Sequence, residues 1–485
     1  MAEKKGIPYK WLALITVSIG TYMGTLDASI VNISLPRLAK VFQTDASTVL
    51  WVSVIYLLIS VSLMFSFGKL GDMLGRKRNY VIGFAVFTVG LTLCSLSQSI
   101  VQLILARVVQ AVGSAMVVSL STAIVTGAFP SHERGKALGI LGAVVSAGLL
   151  SGPVLGGLLV DLLDWQSIFY VRIPVSIAGL VMAAILLREQ KATLAGFRFD
   201  WAGALTLSGA LACFLLFFNI GGKNGFGTAP VLSLAAGAVI LIGSFIILEK
   251  RVKFPILDLN LFRNRLFAAG NVSLVIMFIG LTANTFLMPF YLIEGLALPA
   301  SQAGMLFAVV SMSALIIGPV SGWLSDKIGY RLLCTSGIAL IAGGLFWLSR
   351  LGAGASITGI IPRLMMVGIG TGLFSSPNNS SIMGVIPVDR LSTGSAMIAT
   401  MRQIGISSGT AIAGAIFTSR QVVYLASLPQ TSQASIPTNR LALIASYQDT
   451  LVIAAIVCVA AIFTSMLRGK ALPQSINQPV TSTEK

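Results

Sequence analysis

The sequence has few charged residues and few side chains that bind metals or form disulfides. Only 10% of its 485 residues are charged, against about 25% in an average soluble domain. It contains one histidine, His132, and four cysteines that stand far apart in apolar stretches. This composition leaves almost no ligands for zinc or haem and predicts no disulfide framework, so we expect no metal and no cofactor.

Several functional classes lack their usual sequence signals. No G-x-x-x-x-G-K-[ST] loop is present, which argues against ATP as an energy source, and no H-E-x-x-H motif suggests a metalloenzyme. The net charge is +17, but the basic residues are spread over short loops instead of one face. That distribution argues against nucleic acid as a partner. A polytopic membrane enzyme is a remote alternative, because it would need paired acids or Ser and His within the spans, and the acidic residues of this sequence are scattered.

Apolar residues dominate instead. They make up 55% of the chain, the mean hydropathy is +0.90, and 49 glycines are present. Lipid must cover most of this apolar surface, and glycine allows membrane helices to pack closely. A span needs about 20 mostly apolar residues. Fourteen spans are predicted, near 11–32, 48–68, 79–98, 101–121, 136–159, 167–187, 201–219, 231–248, 267–292, 302–322, 332–351, 357–377, 393–417 and 446–467.

The distribution of basic residues predicts the orientation in the membrane. Twenty-three Lys and Arg residues lie in the loops on the side of the termini, and six lie on the other side. By the positive-inside rule both termini are cytoplasmic, in a multi-pass protein of the plasma (inner) membrane. The longest connection, near 418–445, is predicted to be a polar external loop.

Two parts of the sequence repeat each other. Residues 68–76 read GKLGDMLGR and residues 322–331 read GWLSDKIGYR, an offset of 254 residues. Two similar halves of six spans are typical of transporters. We therefore predict an N-terminal six-helix bundle (1–190), two inserted helices (191–250), a C-terminal six-helix bundle (251–470) and a disordered cytoplasmic tail (471–485).

Several motifs resemble a known family. The loop from Gly68 to Arg78 resembles the cytoplasmic-loop motif of the major facilitator superfamily, and Leu26–Pro36 resembles the first-helix motif of its fourteen-span drug:proton antiporters. The resemblance continues through Phe199–Trp201, Ser376–Asn379 and Arg402–Gln403. The antiporter motif of span 5 is matched at every specified position, by Gly139, Gly148, Gly152, Pro153, Gly156 and Gly157.

The resemblance implies an all-α membrane protein with the major facilitator fold, formed by two six-helix bundles plus two inserted helices. It implies proton-coupled export of small, hydrophobic, cationic compounds such as drugs by alternating access. Export of a metabolite, lipid or amino acid, or symport uptake, is the alternative within transport. Protons, a small-molecule substrate and the lipid bilayer are the expected partners of a monomer. Ala111, Gln166 and Arg172 depart from the family pattern.

Three charged residues are candidates for proton coupling. Asp27 and Arg107 lie five and six residues inside spans 1 and 4, so each is roughly 8–9 Å from the outer end at 1.5 Å per residue. Acids within a membrane are costly and usually functional. We expect Arg107 to pair with Asp27 and to influence its proton. A static ion pair is the alternative. Glu294, near the outer end of span 9, is either a second coupling acid or an interfacial residue.

A further group of residues is expected to control conformation. In span 5, Gly148, Gly152 and Gly156 form one smooth face, while Gly139, Pro153 and Gly157 cluster on the other. Two such faces permit close packing against two neighbours. In the repeated loop, Gly68 and Gly75 permit tight approach, Asp72 can cap a helix, and Arg76 can close a charge network. Asp326 is the repeat counterpart of Asp72.

Aromatic, methionine and polar residues within the spans are candidates for the substrate pocket. Aromatic and methionine side chains adapt to varied ligands, although most of them face lipid or packing partners. Arg107 has a repeat counterpart in Arg363, and Arg402 lies near the middle of span 13 and needs a partner. The candidates are Tyr22, Met23, Trp51, Tyr56, Phe286, Arg363, Asn378 and Arg402.

Overall fold

The computed structural model describes residues 8–44, 46–189, 199–252, 255–427 and 438–468, and within these ranges it contains helices and no strands. The α-helices follow the apolar segments of the sequence. They are α1 (Tyr9–Val41), α2 (Ala46–Leu74), α3 (Arg76–Ser95), α4 (Ile100–Ala128), α5 (Arg134–Leu162), α6 (Ser167–Tyr170), α7 (Ile173–Leu186), α8 (Trp201–Asn224), α9 (Ala229–Glu249), α10 (Arg265–Phe290), α11 (Ala300–Ile328), α12 (Tyr330–Leu348), α13 (Ile357–Gly384), α14 (Leu391–Ser427) and α15 (Thr438–Met466).

Every predicted span coincides with helix, and thirteen described segments are long and apolar enough to cross a membrane. The exception is α14, which covers the predicted thirteenth span. It is 37 residues long, but Arg402, Gln403 and many small polar residues interrupt its apolar sequence. The fold class is confirmed as all-α and membrane-spanning, while the count of fourteen spans stays a prediction.

Several predicted boundaries are wrong. Helix α1 continues to Val41, beyond the predicted end at residue 32. In the predicted external loop near 418–445, residues 418–427 and 438–445 are helical, because α14 runs to Ser427 and α15 starts at Thr438, and residues 428–437 lie outside the described residues. The sixth span is broken into α6 and α7 around Arg172. The start of the predicted insertion, 191–198, and the predicted tail, 471–485, lie outside the described residues.

The helices pack in two similar sets. In the first, α1 lies along α5, and α2 and α3 lie along α4; in the second, α10 lies along α14, and α11 and α12 lie along α13. The sets meet where α5 packs on α11 and where α2 and α4 pack on α14. Helices α8 and α9 pack on each other, and α8 also contacts α2 and α14. The proposed domain boundaries remain predictions.

All four cysteines are free thiols. Cys94, Cys334 and Cys458 are buried, and Cys213 is partly buried. Among the described residues no group of three or more His, Cys, Asp or Glu side chains could hold a metal ion.

Candidate functional site

A buried charge network surrounds Asp27, whose side chain is fully inaccessible in the middle of α1. Arg107 of α4 donates from Nη1 to Oδ2 of Asp27 at 2.5 Å, and Arg172 donates from Nη1 to Oδ1 at 2.6 Å. Gln110 adds a hydrogen bond from Nε2 to Oδ1 at 2.8 Å. The predicted pairing of Asp27 with Arg107 is therefore confirmed. One carboxylate faces two guanidinium groups, which leaves the network with an excess positive charge.

Arg107 is fixed by contacts with three helices. Its Nε donates to the carbonyl of Val52 on α2 at 3.0 Å, and its Nη1 also donates to Oε1 of Gln110 at 2.7 Å. The guanidinium stacks 4.0 Å from the ring centre of Tyr56, a favourable cation–π arrangement. Tyr56 in turn donates to the hydroxyl of Ser114 at 2.8 Å. Movement of Arg107 would therefore disturb α1, α2 and α4 together.

Arg172 is the functional candidate that the sequence reasoning missed as a partner. It lies in the break between α6 and α7, where its Nε donates to the carbonyl of Ile168 at 2.5 Å. Its Nη2 is buried and has no hydrogen-bond partner among the described residues. Two features of the sequence could have pointed to Arg172: it departs from the family pattern, and it is a charged residue within a predicted span. Only the folded arrangement brings it to Asp27.

We refer to the end of the bundle where α1 begins and α15 ends as the base. A second charged contact joins the two helix sets there. Asp72, near the end of α2, accepts hydrogen bonds at 3.1 Å from the backbone N–H groups of Ser392 and Thr393. Arg76 donates to Asp72 at 3.2 Å and to the carbonyl of Val388 at 2.6 Å. As predicted, Asp72 caps a helix N-terminus, namely that of α14.

The repeat counterpart makes the reciprocal contact. Asp326, near the end of α11, accepts hydrogen bonds from the backbone N–H groups of Gly135 at 3.0 Å and Lys136 at 3.1 Å. It thereby caps the N-terminus of α5 in the other helix set. We refer to the contacts of Asp72 and Asp326 as the two base caps. A carboxylate at a helix N-terminus pairs with unsatisfied N–H groups and with the positive end of the helix dipole.

Glycines allow the base caps to form. A Cβ atom at Gly68 would lie 2.9 Å from both the Cβ of Ala396 and the carbonyl oxygen of Ser392, so only glycine lets α2 approach α14 this closely. Gly75 joins α2 to α3 with a φ of +100°, a conformation that favours glycine.

The predicted close packing of α5 is confirmed for the glycines whose surroundings are described. A Cβ atom at Gly148, Gly152 or Gly156 would collide with α1 at Thr25, Ser29 and Ile30 respectively. On the opposite side, a Cβ at Gly139 would lie 2.5 Å from the carbonyl oxygen of Gly318 in α11. The surroundings of the Pro153 and Gly157 side-chain positions lie outside the described residues. Helix α5 is thus held between α1 and α11.

The predicted pocket residues do not converge on one cavity. Met23 is buried in a hydrophobic cluster, and Tyr56 belongs to the Asp27 network. The hydroxyl of Tyr22 bonds that of Ser151 on α5 at 2.9 Å. Trp51 is 39% exposed on α2, and Phe286 lies edge-on to Phe290.

The polar candidates of the second half are also dispersed. Arg363 donates to the carbonyl of Gly359 and stacks 4.9 Å from the Trp347 ring centre, without an acidic partner in the described part. Asn378 is buried, and both polar atoms of its side chain lack partners there. Arg402 is partly buried and forms no ion pair with a described residue. Glu294 is exposed on the turn after α10, as the interfacial alternative expects.

Comparisons with known proteins agree on one family. Residues 17–410 match the family model of the Major Facilitator Superfamily. The chain is 36% identical to the riboflavin transporter RibZ of Clostridioides difficile (strain 630), over 84% of this chain and 88% of that protein. It is 30% identical to the multidrug transporter protein MdtP of Bacillus subtilis (strain 168), over 89% of this chain and 81% of that protein.

A solved structure supports the same fold. The crystal structure of the human organic anion transporter MFSD10 (TETRAN) aligns with a TM-score of 0.65, covering 95% of this chain and 100% of that one. At 13% identity this likeness concerns the fold alone. The expected major facilitator fold is thereby confirmed.

Proposed function

The chain belongs to the major facilitator superfamily, and from that membership we propose that it exports small hydrophobic compounds in exchange for protons by alternating access. It is a membrane transporter rather than an enzyme. Multidrug and resistance proteins recur among its relatives, at 28–31% identity. These relatives support export of drug-like compounds.

The buried network around Asp27 is the observation that carries the proposed proton coupling. A proton placed on Asp27 would remove the only negative charge that pairs with Arg107 and Arg172 in the described part of the chain. Two neighbouring cations without a counter-ion inside a protein are strongly unfavourable. Uptake of a proton therefore requires at least one arginine to move or to find another partner. Because Arg107 and Arg172 lie on different elements, that movement would rearrange the helices.

The two base caps support the alternating-access part of the proposal. Each fixes a helix N-terminus of one set to an acid of the other, so together they close the base. We propose that the base faces the cytoplasm of a plasma (inner) membrane, as the 23-to-6 distribution of basic residues indicates. Opening the base would then admit substrate from the cytoplasm. The protein acts as a monomer, with both termini cytoplasmic.

The charges deep in the helices favour neutral hydrophobic substrates. Within the described helices, Asp27 is committed to two arginines, and Asp449 of α15 faces Arg420 at 3.5 Å. Arg363 and Arg402 have no acidic partner there. Neither Asp27 nor Asp449 is therefore free to pair with a cationic compound. The expectation of cationic substrates stays a prediction, and uncharged compounds fit this charge distribution better.

Export of a flavin or a similar planar metabolite is the second candidate. The 36% identity to a riboflavin transporter over most of both chains favours it. Riboflavin release by cells that express the chain would distinguish this candidate. Release that exceeds the level of cells with an empty vector, without any dye efflux, would support the metabolite exporter.

Dye efflux tests the main proposal. Cells that express the protein are loaded with ethidium and with an uncharged hydrophobic dye, and efflux is followed with and without a protonophore. We expect efflux of at least one dye that stops when the proton gradient collapses while ATP is maintained. Efflux that survives the protonophore but stops on ATP depletion would contradict proton coupling.

A further inference from the structure

Two buried carboxylates meet at the base of the inserted helices. Asp200 is the N-cap residue of α8, and Glu249 is the last residue of α9. Their exposed fractions are only 8% and 5%. Oδ1 of Asp200 accepts from the Gly203 N–H at 2.9 Å, and Oε1 of Glu249 accepts from the Leu257 N–H at 2.6 Å. The second oxygen of each acid is buried without a hydrogen-bond partner among the described residues.

The two unpartnered oxygens face the same point. Oδ2 of Asp200 and Oε2 of Glu249 both lie within 3.0 Å of the position that a Cβ atom on Gly203 would occupy. The carboxyl groups are therefore neighbours in a site that excludes water. Two carboxylates in such contact cannot both stay ionised at low cost, whereas one shared proton turns the repulsion into a hydrogen bond.

The charged groups around this pair do not neutralise it by direct contact. Lys69 of α2 lies within electrostatic range of Glu249 and also of Asp72, Asp389 and Arg390. The ammonium group of Lys69 donates to the carbonyl of Pro255 at 2.7 Å and forms no ion pair with either acid in the described part.

The acid pair is tied to the segment that joins α9 to α10. This connector, residues 250–258, is described except for 253–254. It is held at three places: Glu249 binds the Leu257 N–H, Lys69 binds the Pro255 carbonyl, and Arg390 forms an ion pair with Asp258. Arg390 directly precedes α14, whose N-terminus Asp72 caps. The connector thus links the acid pair to the interface between α2 and α14.

We propose that Asp200 and Glu249 form a proton-binding site, and that their shared proton holds the connector against α2 and α14 at the base. With the proton bound, Glu249 stays beside Asp200 and keeps its bond to Leu257. When the proton leaves, repulsion between the carboxylates displaces Glu249 and frees the connector. The site responds to the proton concentration on the side of the base, and it does not depend on which substrate is transported.

A neighbouring ion pair does not account for the same response. Burial acts to raise the pKa of Asp258, but hydrogen bonds from Asn260 and Arg390 outweigh it and hold that pKa below its usual range. Asp258 therefore stays ionised at neutral pH, and its contribution to stability is lost only when the solution becomes strongly acidic. A change of the connector near neutral pH therefore does not come from Asp258.

Infrared difference spectroscopy of the full-length protein in lipid nanodiscs tests the shared proton. We expect a carbonyl band of a protonated carboxyl group that disappears as the pH is raised through the neutral range. Asp200→Asn and Glu249→Gln should each remove this band. Glu189→Gln, which alters an exposed carboxylate beside Gly75, should retain it. A band that persists unchanged in both neutral variants, or its absence in the wild type, would overturn the proposal.

Hydrogen exchange of residues 255–263 tests the link to the connector. Wild type and Glu249→Gln are compared at the same pH, so that the intrinsic exchange chemistry cancels. The glutamine keeps an acceptor for Leu257 and can donate to Asp200, so it imitates the protonated state. At one pH unit above the midpoint of the infrared titration, the wild type should exchange about tenfold faster than Glu249→Gln. Glu249→Ala should exchange fast at every pH. Equal exchange in wild type and Glu249→Gln across the titration would refute the link.

Discussion

At the scale of single residues, the Asp27 network is costly and tightly specified. Removing one partner from a buried ion pair costs about 3–5 kcal/mol, because the remaining charge is left uncompensated. Because Arg172 also pairs with Asp27, the site is not a simple ion pair. Removal of Asp27 and Arg107 together would still leave the charge of Arg172 in the network. Tests of this site must therefore treat three charges as a unit.

Asp27→Asn is the first test of the coupling role. The substitution keeps size and polarity but cannot ionise, so gradient-driven efflux should fall to background while the protein still inserts. Asp27→Glu should retain part of the activity with a shifted pH optimum. Efflux rates and membrane abundance are measured together, so that lost transport is separated from lost protein.

A neutral network separates coupling from a structural role. In Asp27→Asn/Arg107→Gln/Arg172→Gln no charge remains in the Asp27 network, so the cost of the unpaired arginines in the single variant should be relieved. The coupling account predicts that this triple variant is abundant but inactive. Proton-coupled efflux at near wild-type rates would leave Asp27 with a structural role only.

Arg172→Asn should change the pH dependence of transport. Removing one of two cations beside Asp27 makes a proton on the carboxylate easier to accept, so protonation occurs at higher pH. The optimum of efflux should therefore move toward higher pH, while Asp27 keeps Arg107 as a partner. An unchanged pH profile would mean that Arg172 does not influence the coupling step.

At the scale of elements, helix α5 is constrained on two faces. It packs through glycines on α1 and on α11, one helix from each set. Close backbone contact over both faces lets α5 transmit a movement of one set to the other. It also means that bulk added to either face must push helices apart.

Two substitutions on α5 form a matched pair. A Cβ at Gly148 would collide with Thr25 of α1, whereas a Cβ at Gly142 would meet nothing within 4 Å. Gly148→Leu should abolish transport without preventing insertion, and Gly142→Leu should be tolerated. Transport by Gly148→Leu at the rate of Gly142→Leu would refute the close-packing account.

The base caps make a second prediction at this scale. Loss of an N-cap acid costs about 0.5–2 kcal/mol, so Asp72→Ala and Asp326→Ala should each shift the equilibrium toward an open base. Limited proteolysis and labelling from the side of the base should detect greater accessibility in both variants. Accessibility that matches the wild type would show that the caps do not hold the base closed.

At the scale of the whole molecule, the architecture could be predicted well from the sequence. Long apolar segments have few alternatives to helix in a membrane, so all fourteen predicted spans are helical. Boundaries were less predictable, because α1 and α14 continue as helix beyond their apolar segments. Polar residues within α14 lower its mean hydropathy, so the full length of this helix cannot be recognised from hydropathy.

The candidate site was predictable only in part. The pairing of Asp27 with Arg107 followed from charge and depth, and Asp72 as a cap followed from a local motif. Arg172 joins the network only because the chain breaks between α6 and α7. Asp200 and Glu249 stand at two helix ends that are 49 positions apart in the sequence. No local sequence pattern reveals that these two residues are neighbours.

Proton movement that accompanies substrate export tests the central claim most directly. Everted membrane vesicles are energised by respiration, and a pH-sensitive dye reports the proton gradient while ethidium, an uncharged dye or riboflavin is added. With a transported compound, the gradient should partly collapse in wild-type vesicles and stay intact in Asp27→Asn vesicles. Transport by the wild type without any collapse of the gradient, or an equal collapse with Asp27→Asn, would contradict the account.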